Sequence, residues 1–535
     1  MKTQVLIVGG GPVGLGLALE LGRLGTDCIL VEQSDGTVEQ PKLGLVSTRT
    51  MEFCRRWGTA QEIRDVYPPD YPGTQMFVTS LCGYELARQS YPSFGELPTL
   101  ETSPERHQRC TQIYFEPILR RAAEAHSSTE IQLRTRMTSF HQDAGGVMAQ
   151  VENLYTGETG TIEADYMVAC DGASSTVRSA LGIEMEGKLL SHSVNIFFRA
   201  PELWARHDKG KAERYLLVGP DGTWGNFTAI DGRELWRLSI AGNQNPVDMD
   251  AFDANATLAR GFGAEWDVEI LSVMPWTRLQ MVANSFRGGR VFLAGDAVHC
   301  FSPTGGFGGN TGISDGFNLA WKLAAVLDGW GGEALLDSYE AERRPIAFRN
   351  TGEAAVNFRR MMSAGKNPQL LDDTAVGARQ RSQTGEALRA ETQAEWEVLG
   401  VQLGYRYEAS PIDVADGTPS GPDDMQTYVP SARPGHRAPH AWLIDGRSTL
   451  DLFGDGFALL RFDAGLDVTA LQNAATARRV PLTVFDIDDA EIGGLYEARA
   501  AIVRPDGHVA WRGDALPSDA DMLIATISGH GGIKH

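Results

Sequence analysis

The chain is short of positive charge. Against 69 acidic residues it sets 48 lysines and arginines, for a net charge of −21. That balance argues against nucleic acid and against anionic membrane as partners, because both demand a basic footprint. Cysteine is scarce too: six residues, at Cys28, Cys54, Cys82, Cys110, Cys170 and Cys300, with none beyond Cys300. No two of them form a CxxC pair, so neither a zinc site nor a dithiol redox centre is expected, and no other spacing marks a metal. Free thiols suit a reducing compartment, here the cytoplasm. No apolar run reaches about 18 residues, so no membrane span is expected. Lys2 before an apolar run looks like the start of a signal peptide. The run stops at Gly9-Gly10-Gly11, however, which reads better as a strand and turn. With 535 residues, 42% of them hydrophobic and 22% charged, the composition is that of a globular protein of two to four domains.

What the chain does have is glycine in two decisive places. Gln4–Val8 reads as a buried strand, Gly9-x-Gly11-x-x-Gly14 as a tight turn, and residues 12–25 as a helix opening at Pro12. Asp27–Glu32 is the next strand. In such a βαβ unit Gly9 permits the turn, Gly11 lets a pyrophosphate approach the backbone, and Gly14 allows close helix–strand packing. The helix N-terminus offers N–H groups and partial positive charge to phosphates. Glu32 ends the second strand, suited to ribose hydroxyls, with Gln33 beside it as a further cofactor-binding candidate. Alone, the glycine pattern could be a plain structural turn; in this setting it points to a dinucleotide.

About 280 residues later the grammar repeats. Val291–Ala294 leads into Gly295-Asp296, then Pro303-Thr304-Gly305-Gly306-Phe307-Gly308-Gly309-Asn310 opens a helix. Asp296 can accept hydrogen bonds from the sugar-alcohol chain of a flavin. Pro303, Gly306, Gly308, Gly309 and Asn310 can lie against its flat ring, where a helix N-terminus stabilises negative charge. Two such turns suggest one long cofactor, FAD, gripped at both ends. A third turn runs from Asp171 to Arg178. It has two equal readings: a structural brace, or a cofactor contact through Asp171 that helps place a nicotinamide donor.

The rest of the chain sorts by pattern. Residues 67–105 look irregular, Gln112–Ala125 helical, and 131–168 strand-like. Residues 190–280 are rich in strand runs and tryptophan, 310–365 and 366–400 helical, and 409–440 proline-rich loop. Three later runs, at 457–460, 480–484 and 500–503, alternate with helical segments. The expected fold is α/β: a Rossmann-like FAD-binding domain split over 1–185 and 281–365, an inserted β-sheet substrate domain at 186–280, a helical linker at 366–405, and a C-terminal domain at 406–535.

These motifs, in this order, resemble those of the FAD-dependent aromatic hydroxylases, the single-component flavoprotein monooxygenases that act on phenols. The match continues in Gly44–Glu52, where Arg49 takes the place of an arginine that reaches the FAD phosphates, and in Gln112–Leu119, where Gln112 takes that of a cofactor-contacting glutamine. Asp315–Leu323 and Leu336–Pro345 are close to family text. Ala432–His440, Ser448–Gly454 and Val503–Arg512 resemble the thioredoxin-like C-terminal domain of the phenol hydroxylase branch. Without cysteine that domain has no redox role.

The resemblance implies an enzyme in which NADH or NADPH reduces FAD, O₂ gives a flavin C4a-hydroperoxide, and a phenol is hydroxylated on its ring. Such enzymes serve the catabolism of aromatic compounds. The alternative is a related FAD-dependent oxidoreductase that acts on a larger polycyclic aromatic or without oxygen insertion. No WxWxIP segment of the halogenase kind is present. A scaffold without activity is argued against by the intact motifs. The partners implied are a phenolic small molecule and O₂, with a homodimer left open.

Catalytic residues are not fixed by the sequence. Tyr215, Asn226, Trp236 and Pro303 are the candidates to line an aromatic pocket, although each of the sheet residues is also a natural core residue. His299 is expected to be structural. Arg199 and Arg237 read equally as surface residues and as carboxylate anchors. Some relatives, such as those acting on 2-hydroxybiphenyl, carry a histidine just before the Ser47–Arg49 segment. Here that stretch is Glu39-Gln40-Pro41-Lys42, so the group that activates the phenol is open.

Overall fold

The computed structural model describes residues 1–531; the last four residues of the expected C-terminal domain lie outside it. Strand Lys2–Val8 sits in the middle of the first sheet, parallel to Cys28–Val31 on one side and to Thr159–Ala169 on the other. Val291–Leu293 extends the sheet in parallel beyond Thr159–Ala169, and Thr129–Gln132 closes the opposite edge. Val5, Leu6 and Ile7 are fully buried, as a strand covered on both faces requires. Helix Pro12–Arg23 and helix Phe307–Leu327 pack at the same sheet end. A Cβ on Gly312 would stand 2.8 Å from the Cα of Gly295, so only glycine lets the second helix come that close to the turn before it.

The middle sheet has eight strands, carried on two long ribbons, Met185–Arg199 and Glu269–Ala283. Its far edge is a correction to the sequence reading. Gln75–Val78 and Glu85–Gln89 belong to this sheet, although 67–105 read as irregular and within the FAD-binding domain. Gln75–Val78 pairs in parallel with Arg214–Leu217 and is wholly buried. On its other side it pairs antiparallel with Glu85–Gln89 in a short hairpin, while its parallel partner, more than 130 residues away, leaves no local signature.

A third sheet joins Leu482–Asp486, Phe457–Arg461, Ala500–Val503 and Val509–Gly513 in that order, parallel at the first junction and antiparallel at the other two. Helices Thr469–Ala477, Ala490–Tyr496 and Ala520–Ile527 complete a thioredoxin-like layer. It is not a free appendage: Phe457 and Leu459 share one core with Trp321, Ala325 and Leu335. Nearby, Arg504 holds Glu342 at 2.8 Å and Asp506 at 2.7 Å, and Lys322 holds Glu342 at 2.6 Å, all out of contact with water. Removing one member of such a cluster strands a buried charge, at a cost of about 3–5 kcal/mol. Among the described residues all six cysteines are free, and no helix is long and apolar enough to cross a membrane.

Candidate active site

The glycine turn after Lys2–Val8 is built as its chemistry asks. Gly9 has φ +107°, and a Cβ there would meet the carbonyl of Cys170 at 2.4 Å. A Cβ on Gly14 would meet the Gly9 carbonyl at 2.0 Å. Gly11, by contrast, faces open space, so a ligand can approach its backbone. Pro12 takes the first helical position, where its missing N–H costs nothing. The Glu32 carboxylate accepts the N–H groups of Gly10 and Ser34, both at 2.7 Å, which fixes it at the head of a cleft of 700 Å³. Gln112 lines the same cleft and accepts the Lys42 N–H at 2.8 Å. Gln33 is exposed and outside its lining.

At the other end, Gly305 and Gly306 both adopt positive φ and turn the chain into helix Phe307–Leu327. A Cβ on Gly309 would strike Leu43 at 2.5 Å, and one on Gly308 would touch Phe301. Asn310 ties the turn to the neighbouring loop. Its carbonyl accepts from Ser47 N–H at 2.8 Å, and its amide donates to the carbonyls of Leu45 and Gly306. The Asp296 carboxylate has no hydrogen-bond partner among the described residues. Burial lifts its pKa, opposed by His299 and Lys42. A half-buried carboxylate left open beside a flavin-type turn is what hydroxyl donors of a bound cofactor would satisfy. His299 is structural: its Nε2 meets Asp315 at 2.6 Å, and Arg343 holds the same carboxylate at 2.8 Å.

Two expected cofactor ligands also have protein partners of their own. Arg49 lines a small cavity beside the second turn, together with Gly305, Gly306 and Asn310. It pairs with Glu52 at 2.7 Å and donates to the Asp506 carbonyl at 2.7 Å, on the side of the C-terminal domain. The reason is helical phase. On helix Thr48–Arg56, positions 49, 52 and 56 share a face, and that face meets Asp506, Arg437 and Pro505. Lys42 and Arg134 are the cations that line the first cleft. Asp171 caps the helix Thr176–Ala180, accepting from the N–H groups of Thr176 and Val177, while Arg178 donates to the carbonyls of Ala173 and Ala297. The two brace the turn separately, not as a pair.

Lys42 also reaches the second cavity, of 140 Å³, which is closed by Pro303–Gly306 on one side and floored by the middle sheet. Here the sequence reading was out by one residue. Tyr215 and Trp236 are buried in the core on the opposite face of the sheet, with Phe227 and Phe262. The Tyr215 hydroxyl accepts from Ala212 N–H, and the Trp236 ring packs edge-on against Trp204. Strand side chains alternate, so their neighbours Arg214 and Arg237 face the cavity, in line with Asn226, Thr228 and Ser239. Asn226 and Pro303 do line it, as expected. Arg199 is a surface residue paired with Glu234 and Glu269.

The cavity is cationic in an acidic protein. Arg109 is paired with Glu213 at 2.8 Å, and Arg214 with Glu395 in a two-pronged contact of 2.9 and 2.7 Å. Arg237 and Arg278 make no ion pair among the described residues. Arg237 donates to the Pro41 carbonyl at 2.7 Å, and Arg278 to Ser193 Oγ at 3.0 Å. Arg237 Nε and Arg278 Nη1 are buried with no partner. Burial pushes each guanidinium down to about 10, helped by Arg109 beside Arg237 and by Arg237 beside Arg278. Both stay charged at neutral pH. Sequence reasoning missed Arg109, Glu213, Arg214, Arg278 and Glu395. They come from four regions of the chain and carry no local motif.

Residues 2–354 match the family model of the FAD binding domain, and residues 431–529 that of the aromatic-ring hydroxylase C-terminal domain. The chain belongs to the FAD-dependent aromatic-ring hydroxylases. It is 35% identical to 4-methyl-5-nitrocatechol 5-monooxygenase from a Burkholderia species, over 98% of this chain and 96% of that one. Among solved structures it is similar to the rebeccamycin biosynthetic enzyme RebC with reduced flavin, at 41% identity and a TM-score of 0.92, over 99% of both chains. It is also similar to the flavin-dependent monooxygenase PieE in complex with FAD and substrate, at 30% identity and a TM-score of 0.87, over 99% of this chain and all of that one. This hydroxylase therefore has the two-ended cleft, the cationic cavity and the cysteine-free C-terminal layer in one chain of an FAD-dependent monooxygenase family.

Proposed function

We propose that this hydroxylase inserts oxygen into the ring of an aromatic compound that presents an anionic oxygen, a carboxylate or a phenolate, to Arg237 and Arg278. The observation that carries the reading is this pair of buried guanidiniums with unused N–H groups in the cavity beside Pro303–Gly306. FAD, reduced by NADH or NADPH and then exposed to O₂, supplies the electrophilic oxygen. Gly11 and the N–H groups of helix Pro12–Arg23 would hold its phosphates, Glu32 its ribose, and Asp296 its sugar-alcohol chain.

The protein's own part is placement and electrostatics. Two positive charges near a phenolic oxygen favour the ionised form, each unit of lowered pKa being worth about 1.4 kcal/mol. A phenolate is the better ring nucleophile, so this field supplies the activation that a histidine provides in some relatives. Gln40 does not supply it: it hydrogen-bonds Ser272 and lines the cofactor cleft, not the cavity. Trp396 and Met361 also line the cavity. Its free space of 140 Å³ is walled in part by Pro303–Gly306, against which the flavin ring would also lie. A polycyclic substrate would require Trp396 or Met361 to move.

The test is a panel of aromatic acids and phenols, each matched with its neutral ester or ether. NAD(P)H oxidation is followed and products are identified. Anionic members should stimulate oxidation and leave with one added oxygen. Equal stimulation by the neutral partners would overturn the reading.

A further inference from the structure

The cofactor cleft contains an acid that the phosphate-binding logic of the glycine turn does not call for. Glu116 lies one helical turn after Gln112 on helix Gln112–Glu124, and its side chain is buried. Its Oε1 accepts a hydrogen bond from the Gln112 amide at 2.6 Å. The same oxygen is the one atom within 4 Å of where a Cβ on Gly11 would stand, at 4.0 Å. The carboxyl therefore faces the open backbone of the turn, across the path along which a diphosphate must come in. No lysine or arginine forms an ion pair with it among the described residues, and it lines the cleft together with Gly10, Gly11 and Glu32.

An ionised carboxylate there would repel a diphosphate. A neutral carboxyl would donate to it. We propose that Glu116 meets the cofactor diphosphate as the protonated acid, its O–H donating to a phosphate oxygen, so that FAD binding takes up one proton at Glu116. The charged groups that face it are Glu32 across the cleft, Arg120 further along its own helix and Lys42 from the adjacent loop. Arg120 is turned toward Gly36, and the backbone of Lys42 is engaged by Gln112. Burial, with Glu32 adding to it, already lifts the Glu116 carboxyl to about 7. A diphosphate at Gly11 lifts it further, because like charge disfavours ionisation. The inference concerns cofactor binding and stands apart from the identity of the substrate.

The test reads binding, not turnover. Holoenzyme is diluted at pH values from 6 to 9, and the dissociation constant of FAD is taken from the fluorescence of freed flavin. For the full-length wild type the constant should be flat below pH 7 and weaken toward tenfold per pH unit above it, the slope of one linked proton. Glu116→Gln keeps the shape and a donor but cannot ionise. It should bind FAD about as tightly as wild type at pH 6, lose the slope, and bind more tightly than wild type at pH 9. A wild-type constant indifferent to pH overturns the proposal. So does a slope that survives in Glu116→Gln. If that variant does not fold, calorimetric titration of wild-type apoprotein with FAD in two buffers of different ionisation enthalpy still counts the protons taken up at pH 8, and a count near zero refutes it.

Discussion

Replacing Arg278 with methionine should leave the substrate-free fold at least as sturdy and the substrate-binding enzyme worse. Arg278 is 3% exposed, and burial beside Arg237 pushes its guanidinium down to about 10. That drop from the ordinary value corresponds to about 3 kcal/mol of destabilisation of the folded, charged form. The sign follows from linkage. A base whose folded value is depressed binds fewer protons when folded, so stability rises only as pH climbs past about 10, and near neutrality the whole penalty is present. Methionine keeps much of the stem but gives up the bond to Ser193 Oγ and the contact over the Phe358 ring, about 1 kcal/mol each. The net expectation is a substrate-free protein of equal or slightly greater stability. Substrate binding moves the other way, because a charge-assisted hydrogen bond is worth about 1.5–3 kcal/mol, or roughly 10- to 150-fold in affinity. The assay pairs thermal unfolding without substrate with titration of an aromatic acid and its methyl ester. A fall in unfolding temperature of several degrees would show that Arg278 is structural. Equal loss of affinity for acid and ester would show that it does not read charge.

The flavin should be bound without a covalent link, so acid precipitation releases FAD to the supernatant; Asp296→Ala should weaken FAD binding tenfold or more through a lost charge-assisted hydrogen bond of about 1.5–3 kcal/mol, and Gly11→Val should block the diphosphate outright, with wild-type flavin content in either variant refuting the assignment. Truncation before residue 405 removes Arg504, the partner of Glu342, and uncovers Trp321 and Leu335, so the product should be insoluble or flavin-poor, and a soluble, fully active fragment would show the C-terminal layer to be dispensable. Burial beside Glu342 and Asp506 raises the Asp413 carboxyl to about 7 despite Arg504; its contribution is whole below the ordinary carboxylate range and gone once pH has risen through 7, so the advantage of Asp413→Asn over wild type should grow from about pH 4 to pH 7 and level off above it, as unfolding scans across pH would register. Gln40→Ala should change hydroxylation only modestly, since Gln40 lies outside the cavity; a large loss of product per NAD(P)H would place the activating group there after all.

The two glycine turns were legible because their chemistry is local. A strand, a turn that needs positive φ and a helix N-terminus fit within about fifteen residues, and the sequence alone therefore pointed to FAD and to the family. Gln75–Val78 was not legible: its hairpin with Glu85–Gln89 lies in a stretch rich in proline, glycine and tyrosine, and its parallel partner lies far along the chain, where no nearby pattern records the pairing. The cavity was decided by tertiary structure alone. Which of Tyr215 and Arg214, or of Trp236 and Arg237, faces the substrate depends on the phase of a strand of period two, and both alternations fit the local sequence. On a helix the same division holds for Arg49: the motif fixes its position in the chain, while the packing of residues 48–56 against the C-terminal domain fixes its partners. Even the charge of the site runs against the composition. A chain with a net charge of −21 encloses five cations around one cavity, and only folding brings Lys42, Arg109, Arg214, Arg237 and Arg278 from separate regions onto its walls, where burial makes two unpaired guanidiniums a demand for an anion.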